Sequence, residues 1–111
     1  MSKREIKLYV SDIKECIGKI ERYTKGMSFD EFIKDEKTLD AVVRNIEIIG
    51  EAARNIPEEI RDRYKEILWY EIIGIRNKIA HEYFGVDEEV LWEAVSNDIP
   101  KLKEQIEKIV V

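Results

Sequence analysis

An arginine, an asparagine, a histidine and a tyrosine stand close together in the run Arg76-Asn77-Lys78-Ile79-Ala80-His81-Glu82-Tyr83. The guanidinium of Arg76 is a permanent, planar cation whose fork of donors matches a phosphate. His81 is the single histidine of the 111 residues and the side-chain type best suited to moving protons near neutral pH. Together they are a minimal kit for cleaving a phosphodiester without a metal: a cation for the charge developing on the phosphate and a group that takes or gives a proton. Asn77 suits either orienting His81 or binding the phosphate, and a structural role bonding a neighbouring helix fits it as well. A lone histidine at a helix end also often serves only as a satisfied polar residue. Spacing alone leaves both readings open.

The elements that position this run are helical. Residues 3–25 carry Ile6, Tyr9, Val10, Ile13, Ile17, Ile20 and Tyr23 at three- and four-residue steps, one apolar stripe closed by Lys25-Gly26. Ser28-Phe29-Asp30-Glu31 is a capping box that opens a short helical turn. A longer helix from about Lys37 to Asn55 presents Leu39, Val42, Val43, Ile46, Ile49, Ala53 and Ile56. Pro57 suits the first position of a further turn, with Glu58 and Glu59 at its positive end. A third main helix runs from Ile67 or Trp69 to His81, and Gly85 breaks the chain. Asp87 caps the next helix, which carries Val90, Leu91, Ala94 and Val95 on one side. Pro100 either kinks that helix or opens a last one with Leu102, Ile106 and Ile109 inward. There is no alternating strand, repeat or low-complexity linker. The fold class is all-α, an antiparallel bundle of four or five helices with short connections.

This placement poses a geometric problem. On a regular helix Asn77 and His81 share a face, whereas Arg76 and His81 diverge by about 140° at ~100° per residue. Either the helix frays at His81, close to the Gly85 break, or a second set of groups comes from another chain.

Composition bounds the rest. The chain is one domain over residues 1–111, with 44% hydrophobic and 39% charged residues. Its Lys/Glu/Ile bias, with Gln105 as the only glutamine, resembles thermophile compositions. The one cysteine, Cys16, cannot form an internal disulfide and reads as a small residue on a helix face. No apolar run reaches the roughly 18 residues of a membrane span and no signal-peptide core is present, so the expected location is the cytoplasm. A net charge of −5 argues against sequence-blind binding to DNA. A nuclease reading therefore needs a local basic patch, for which Arg61, Arg63, Lys65, Arg76 and Lys78 are the candidates. Acidic surface elsewhere equally suits a basic protein partner. Glu47 and Glu51 lie four apart, but no His or Asp at ligand spacing accompanies them, and no metal or cofactor is expected. Glu51, beside Gly50, Ala52 and Ala53, suggests close helix packing, or support of Arg76 or His81. Trp69 and Trp92 read as core or dimer anchors rather than stacking platforms for RNA.

The Arg-Asn-x-x-Ala-His-x-Tyr run in a helical, acidic chain resembles the HEPN superfamily signature of arginine, four to six residues, then histidine. More narrowly it resembles the HepT-like branch. The segments Arg44-Asn45-Ile46-Glu47-Ile48-Ile49-Gly50-Glu51-Ala52-Ala53, Trp69-Tyr70-Glu71-Ile72-Ile73-Gly74-Ile75 and Val86-Asp87-Glu88-Glu89-Val90-Leu91-Trp92 fit that branch too. The resemblance covers nearly the whole chain. It implies a two-fold homodimer whose motifs meet in a cleft, and metal-independent endoribonuclease action by Arg76, His81 and Asn77. It further implies a toxin neutralised by a minimal nucleotidyltransferase antitoxin that adenylylates Tyr83. On structural grounds alone, Tyr83 past a helix end would fold its ring over the core and keep its hydroxyl wet. The alternative in another class is a non-catalytic helical subunit presenting nucleotide or substrate to such a transferase. An intact Arg76, Asn77, His81 and Tyr83 favours the nuclease.

Overall fold

The computed structural model describes residues 2–81 and 85–110, and for Arg76, Ala80, His81 and Gly85 it describes the backbone course. Helix α1 (Lys3–Thr24) starts where the Ser2 hydroxyl accepts the Glu5 N–H. It stops at Gly26, which takes φ of +76°, a left-handed conformation that costs glycine little. The capping box then forms as expected: Ser28 Oγ accepts the Glu31 N–H at 3.2 Å and Glu31 accepts the Ser28 N–H at 3.0 Å, opening α2 (Phe29–Lys34). Asp35 caps α3 (Glu36–Asn55) through the Thr38 N–H. Pro57 occupies the cap of α4 (Glu58–Arg63), one position earlier than expected, with Glu58 and Glu59 in the first turn.

The strands β1 (Ala80–His81) and β2 (Gly85–Val86) form a two-residue antiparallel ladder directly after α5 (Trp69–Ile79). This corrects the expectation that α5 runs to His81. Asp87 then caps α6 (Glu88–Glu93) by accepting the Val90 N–H at 3.1 Å. A π-helical turn, Ala94–Asp98, joins α6 to α7 (Ile99–Ile106). The Ile99 N–H reaches back to the Ala94 carbonyl, five residues earlier, just before Pro100. A proline cannot donate, and its ring crowds the carbonyl four residues before it. The widened turn relieves both problems and keeps the path helical, and Pro100 stands in the first turn of α7, opening the last helix, one of its two expected roles.

Helix α1 lies along α3, α3 along α5, and α6 and α7 close the bundle over α5 and α1. One contiguous core joins them, rich in isoleucine: Ile13, Ile17 and Ile20 of α1, Ile46 and Ile49 of α3, Ile79 of α5 and Ile106 of α7 are essentially inaccessible. Tyr23, assigned to the α1 stripe by spacing, is instead 40% exposed near the helix end. Both tryptophans are structural. Trp69 is buried and its Nε1–H is shared between the carbonyls of Arg61 (3.2 Å) and Tyr64 (3.1 Å), pinning the α4–α5 turn. Trp92 packs on Phe32 and Phe29 with ring centroids 5.0 and 6.2 Å away. Cys16 is buried, and burial pushes its thiol pKa up.

Candidate functional site

The geometry around the motif begins with the close approach of α3 and α5. A Cβ on Gly50 would lie 3.2 Å from the Ile72 carbonyl oxygen and 3.4 Å from that of Ile73, so glycine is what lets the two backbones meet there. The expected close packing beside Glu51 is thus real, and its partner is α5. Part of α5 is exposed. Tyr70 is 85% exposed, Asn77 is exposed, and a Cβ on Gly74 between them would touch nothing within 4 Å. Residues 70, 74 and 77 share one helical face.

Helix α5 ends because the chain folds back on itself. Ala80 pairs with Val86 and His81 with Gly85, and the Asp87 N–H bonds the Ile79 carbonyl. Arg76 therefore lies on the helix, while His81 lies on extended backbone just beyond it. The regular-helix relation between Asn77 and His81 does not hold, and neither does the 140° conflict between Arg76 and His81. Of the two escapes from that conflict, the helix does end before His81. The side chains of Arg76 and His81 lie outside the described residues, as does the whole of Tyr83.

Asn77 opens onto a groove of about 470 Å³ floored by α3 and walled by α1 and α5. Tyr9 of α1, Arg44, Glu47, Glu51 and Arg54 of α3, and Ile73 of α5 line it. Asn77 makes no hydrogen bond to a neighbouring helix among the described residues. Glu51 pairs with Arg54 at 3.5 Å, and Arg44 lies 3.9 Å from Glu47. The support of Arg76 or His81 by Glu51 falls on side chains outside the described residues. Among the described residues no group of three or more His, Cys, Asp or Glu could hold a metal ion.

The basic run expected near the motif is spread over more than one hollow among the described residues. Arg61 and Lys65 line a separate hollow at the α4–α5 turn. Lys78 lines a small apolar cavity between α3, α5 and α7 together with Asp98. Partial burial raises the Asp98 carboxyl pKa, and the Lys78 cation offsets part of that rise. The arginines that do face the groove are Arg44 and Arg54, which the linear reading passed over. Their signal is the periodic set Arg44, Glu47, Glu51, Arg54 on one face of α3. Tyr9 packs half-buried against the core, as its place in the apolar stripe predicts, and it also borders the groove.

Residues 13–109 match the family model described as ribonuclease HepT-like. A probable ribonuclease HepT of Thermococcus cleftensis is 48% identical over 96% of this chain and 97% of its own length. A protein of Methanocaldococcus jannaschii, provisionally named an RNase, is 44% identical over 99% of this chain and 91% of its own. Another so named, from Caldanaerobacter subterraneus subsp. tengcongensis, is 45% identical over 87% and 86%. No solved structure matches the chain. Among the described residues no helix is long and apolar enough to cross a membrane.

Proposed function

This chain belongs to the HepT-like ribonuclease family, and from that membership we propose that it is the toxin of a toxin–antitoxin pair, a metal-independent endoribonuclease. In the proposed reaction the RNA 2′-oxygen attacks the adjacent phosphorus and the bond to the 5′-oxygen breaks. A 2′,3′-cyclic phosphate and a free 5′-hydroxyl result. His81 removes the 2′-proton or supplies the proton to the departing 5′-oxygen, and Arg76 neutralises the charge on the non-bridging oxygens. Asn77 binds the phosphate or orients His81. One histidine per chain covers one proton transfer, and in a two-fold dimer the second His81 covers the other. The exposed Tyr70 and Asn77 on α5 leave room for such a dimer.

The observation that carries this reading is the end of α5 at Ile79. It releases His81 from the helical path that would aim it away from Arg76, while Asn77 stays on the helix beside the groove. Control falls to Tyr83, two residues past His81. An adenylate on its hydroxyl would bring a phosphate and a nucleoside to the motif, where the phosphate pairs with Arg76 and occupies the cation that substrate needs. The partner in this reading is a nucleotidyltransferase antitoxin.

The test is cleavage of RNA by purified protein in EDTA. His81→Ala should lose roughly 10²–10⁴-fold in rate with its helical content intact, and Arg76→Lys should fail substantially because the ammonium lacks the bidentate fork. Cleavage that EDTA stops and His81→Ala spares would replace this mechanism with a carboxylate–metal one.

A further inference from the structure

The groove beside Asn77 combines three features that single-stranded RNA uses and that a merely solvated helix face does not bring together. The first is an aromatic side chain at its wall. The two ring contacts among the described residues are those of Phe29 and Phe32 with Trp92, which leaves half-buried Tyr9 without a stacked neighbour at the groove wall. The second is a pair of arginines, Arg44 and Arg54, standing ten residues apart on one helix and so about 15 Å apart along it. The Arg54–Glu51 contact at 3.5 Å is exposed on both sides, weak enough to exchange for a phosphate, and the Arg44 side chain is itself largely exposed. The third is size. About 470 Å³ falls within the range of ligand sites.

We propose that this groove binds the nucleotides flanking the scissile phosphate in single-stranded RNA, with Tyr9 as the stacking platform and Arg44 and Arg54 as phosphate contacts. The inference rests on the ribonuclease reading and names its substrate class. Unpaired bases can splay out and stack on an aromatic ring, whereas bases in a duplex cannot. Asp12, Glu47 and Glu51 also line the groove and outnumber its arginines. They disfavour a continuous phosphate backbone, yet accept hydrogen bonds from exposed base amino groups and 2′-hydroxyls.

Binding of a short, fluorescein-labelled, mixed-sequence oligoribonucleotide to His81→Ala protein, followed by anisotropy, separates affinity from cleavage. Adding Tyr9→Ala should weaken binding about tenfold, from a stacking contribution of ~1–3 kcal/mol per base, whereas Tyr9→Phe keeps the ring and the affinity. Arg44→Gln changes an exposed side chain and so spares the fold. It should weaken binding and reduce the salt slope by roughly one phosphate contact. The same strand annealed to its complement should bind less tightly. Unchanged affinity in both Tyr9→Ala and Arg44→Gln overturns the proposal. So does a fall in sedimenting mass with RNA affinity intact, which would make the groove a contact between subunits. The two readings fail separately. Protein that binds RNA through Tyr9 and Arg44 but never cleaves it leaves the groove standing without the nuclease. Cleavage that needs His81 but ignores both variants does the reverse.

Discussion

Two glycines in helix interiors make a matched experiment on the frame that holds the motif. Replacing glycine by alanine inside a helix gains about 1 kcal/mol of propensity when the new methyl group is tolerated. At Gly74 that methyl group meets nothing within 4 Å, so Gly74→Ala should stabilise by about 0.5–1 kcal/mol. At Gly50 it would sit 3.2 Å from the Ile72 carbonyl oxygen, with the Ile73 Cα at 3.8 Å. Those atoms are backbone of a packed helix and cannot swing aside. Overpacking of this kind costs roughly 1–3 kcal/mol, which cancels or exceeds the propensity gain. The variants should therefore differ by about 1–3 kcal/mol, or roughly 4–12 °C in Tm for a domain of this size. Thermal and urea unfolding followed by helical circular dichroism would measure the difference. Gly50→Val, with two further carbons, should lose more still and depress RNA cleavage, since α5 carries Arg76 and Asn77. If Gly50→Ala proved as stabilising as Gly74→Ala, the tight α3–α5 approach would be refuted. A loss in Gly74→Ala that depends on protein concentration would put a subunit contact on the exposed part of α5.

Trp69→Phe should cost about 1–3 kcal/mol, because the carbonyls of Arg61 and Tyr64 lose the donor they share; urea denaturation reads it. Leu91→Ala, at a fully enclosed site, should cost about 2–5 kcal/mol and lower Tm accordingly. Hydrogen bonds from the Ser28 N–H and hydroxyl hold the Glu31 carboxyl below its ordinary pKa. The folded state thus binds that proton less readily than the unfolded state. The contribution is fully present above the unfolded value and is lost as pH falls through the folded one. Ser28→Ala should lower stability near neutral pH by about 1 kcal/mol and flatten that part of the acid limb in a pH series of unfolding curves. Tyr83→Phe should retain most RNA cleavage yet escape neutralisation by the partner transferase, while intact mass shows added adenylate on co-expressed wild type. Inertness equal to that of His81→Ala would instead give the hydroxyl a catalytic role.

Helix positions and their starts follow from local chemistry. Ser2, Ser28, Asp35 and Asp87 cap through bonds to N–H groups three residues on, and Gly26 ends α1 by its own backbone freedom. Such rules act within one turn, so the residues alone carry them. The same holds for the Ile13, Ile17, Ile20 and Ile46, Ile49 stripes, whose period needs no partner to be visible. The end of α5 is another matter. Nothing in Ile79-Ala80-His81 forbids a helix; what ends it is pairing with Val86 and Asp87 across an intervening segment. Local periodicity therefore carried the helix two residues too far. The Pro100 path was likewise open until the π turn widened ahead of it.

Charge behaved similarly. Arg61, Lys65 and Lys78 are neighbours in sequence, yet the fold sends them to different hollows. Arg44 and Arg54 are distant from the motif in sequence, and the α3–α5 contact at Gly50 brings their face alongside Asn77. Motif residues were recognisable because their chemistry is intrinsic to the side chains. Their surroundings were not, because which cations and rings border a site depends on how helices rotate and cross, and contacts across the bundle decide that.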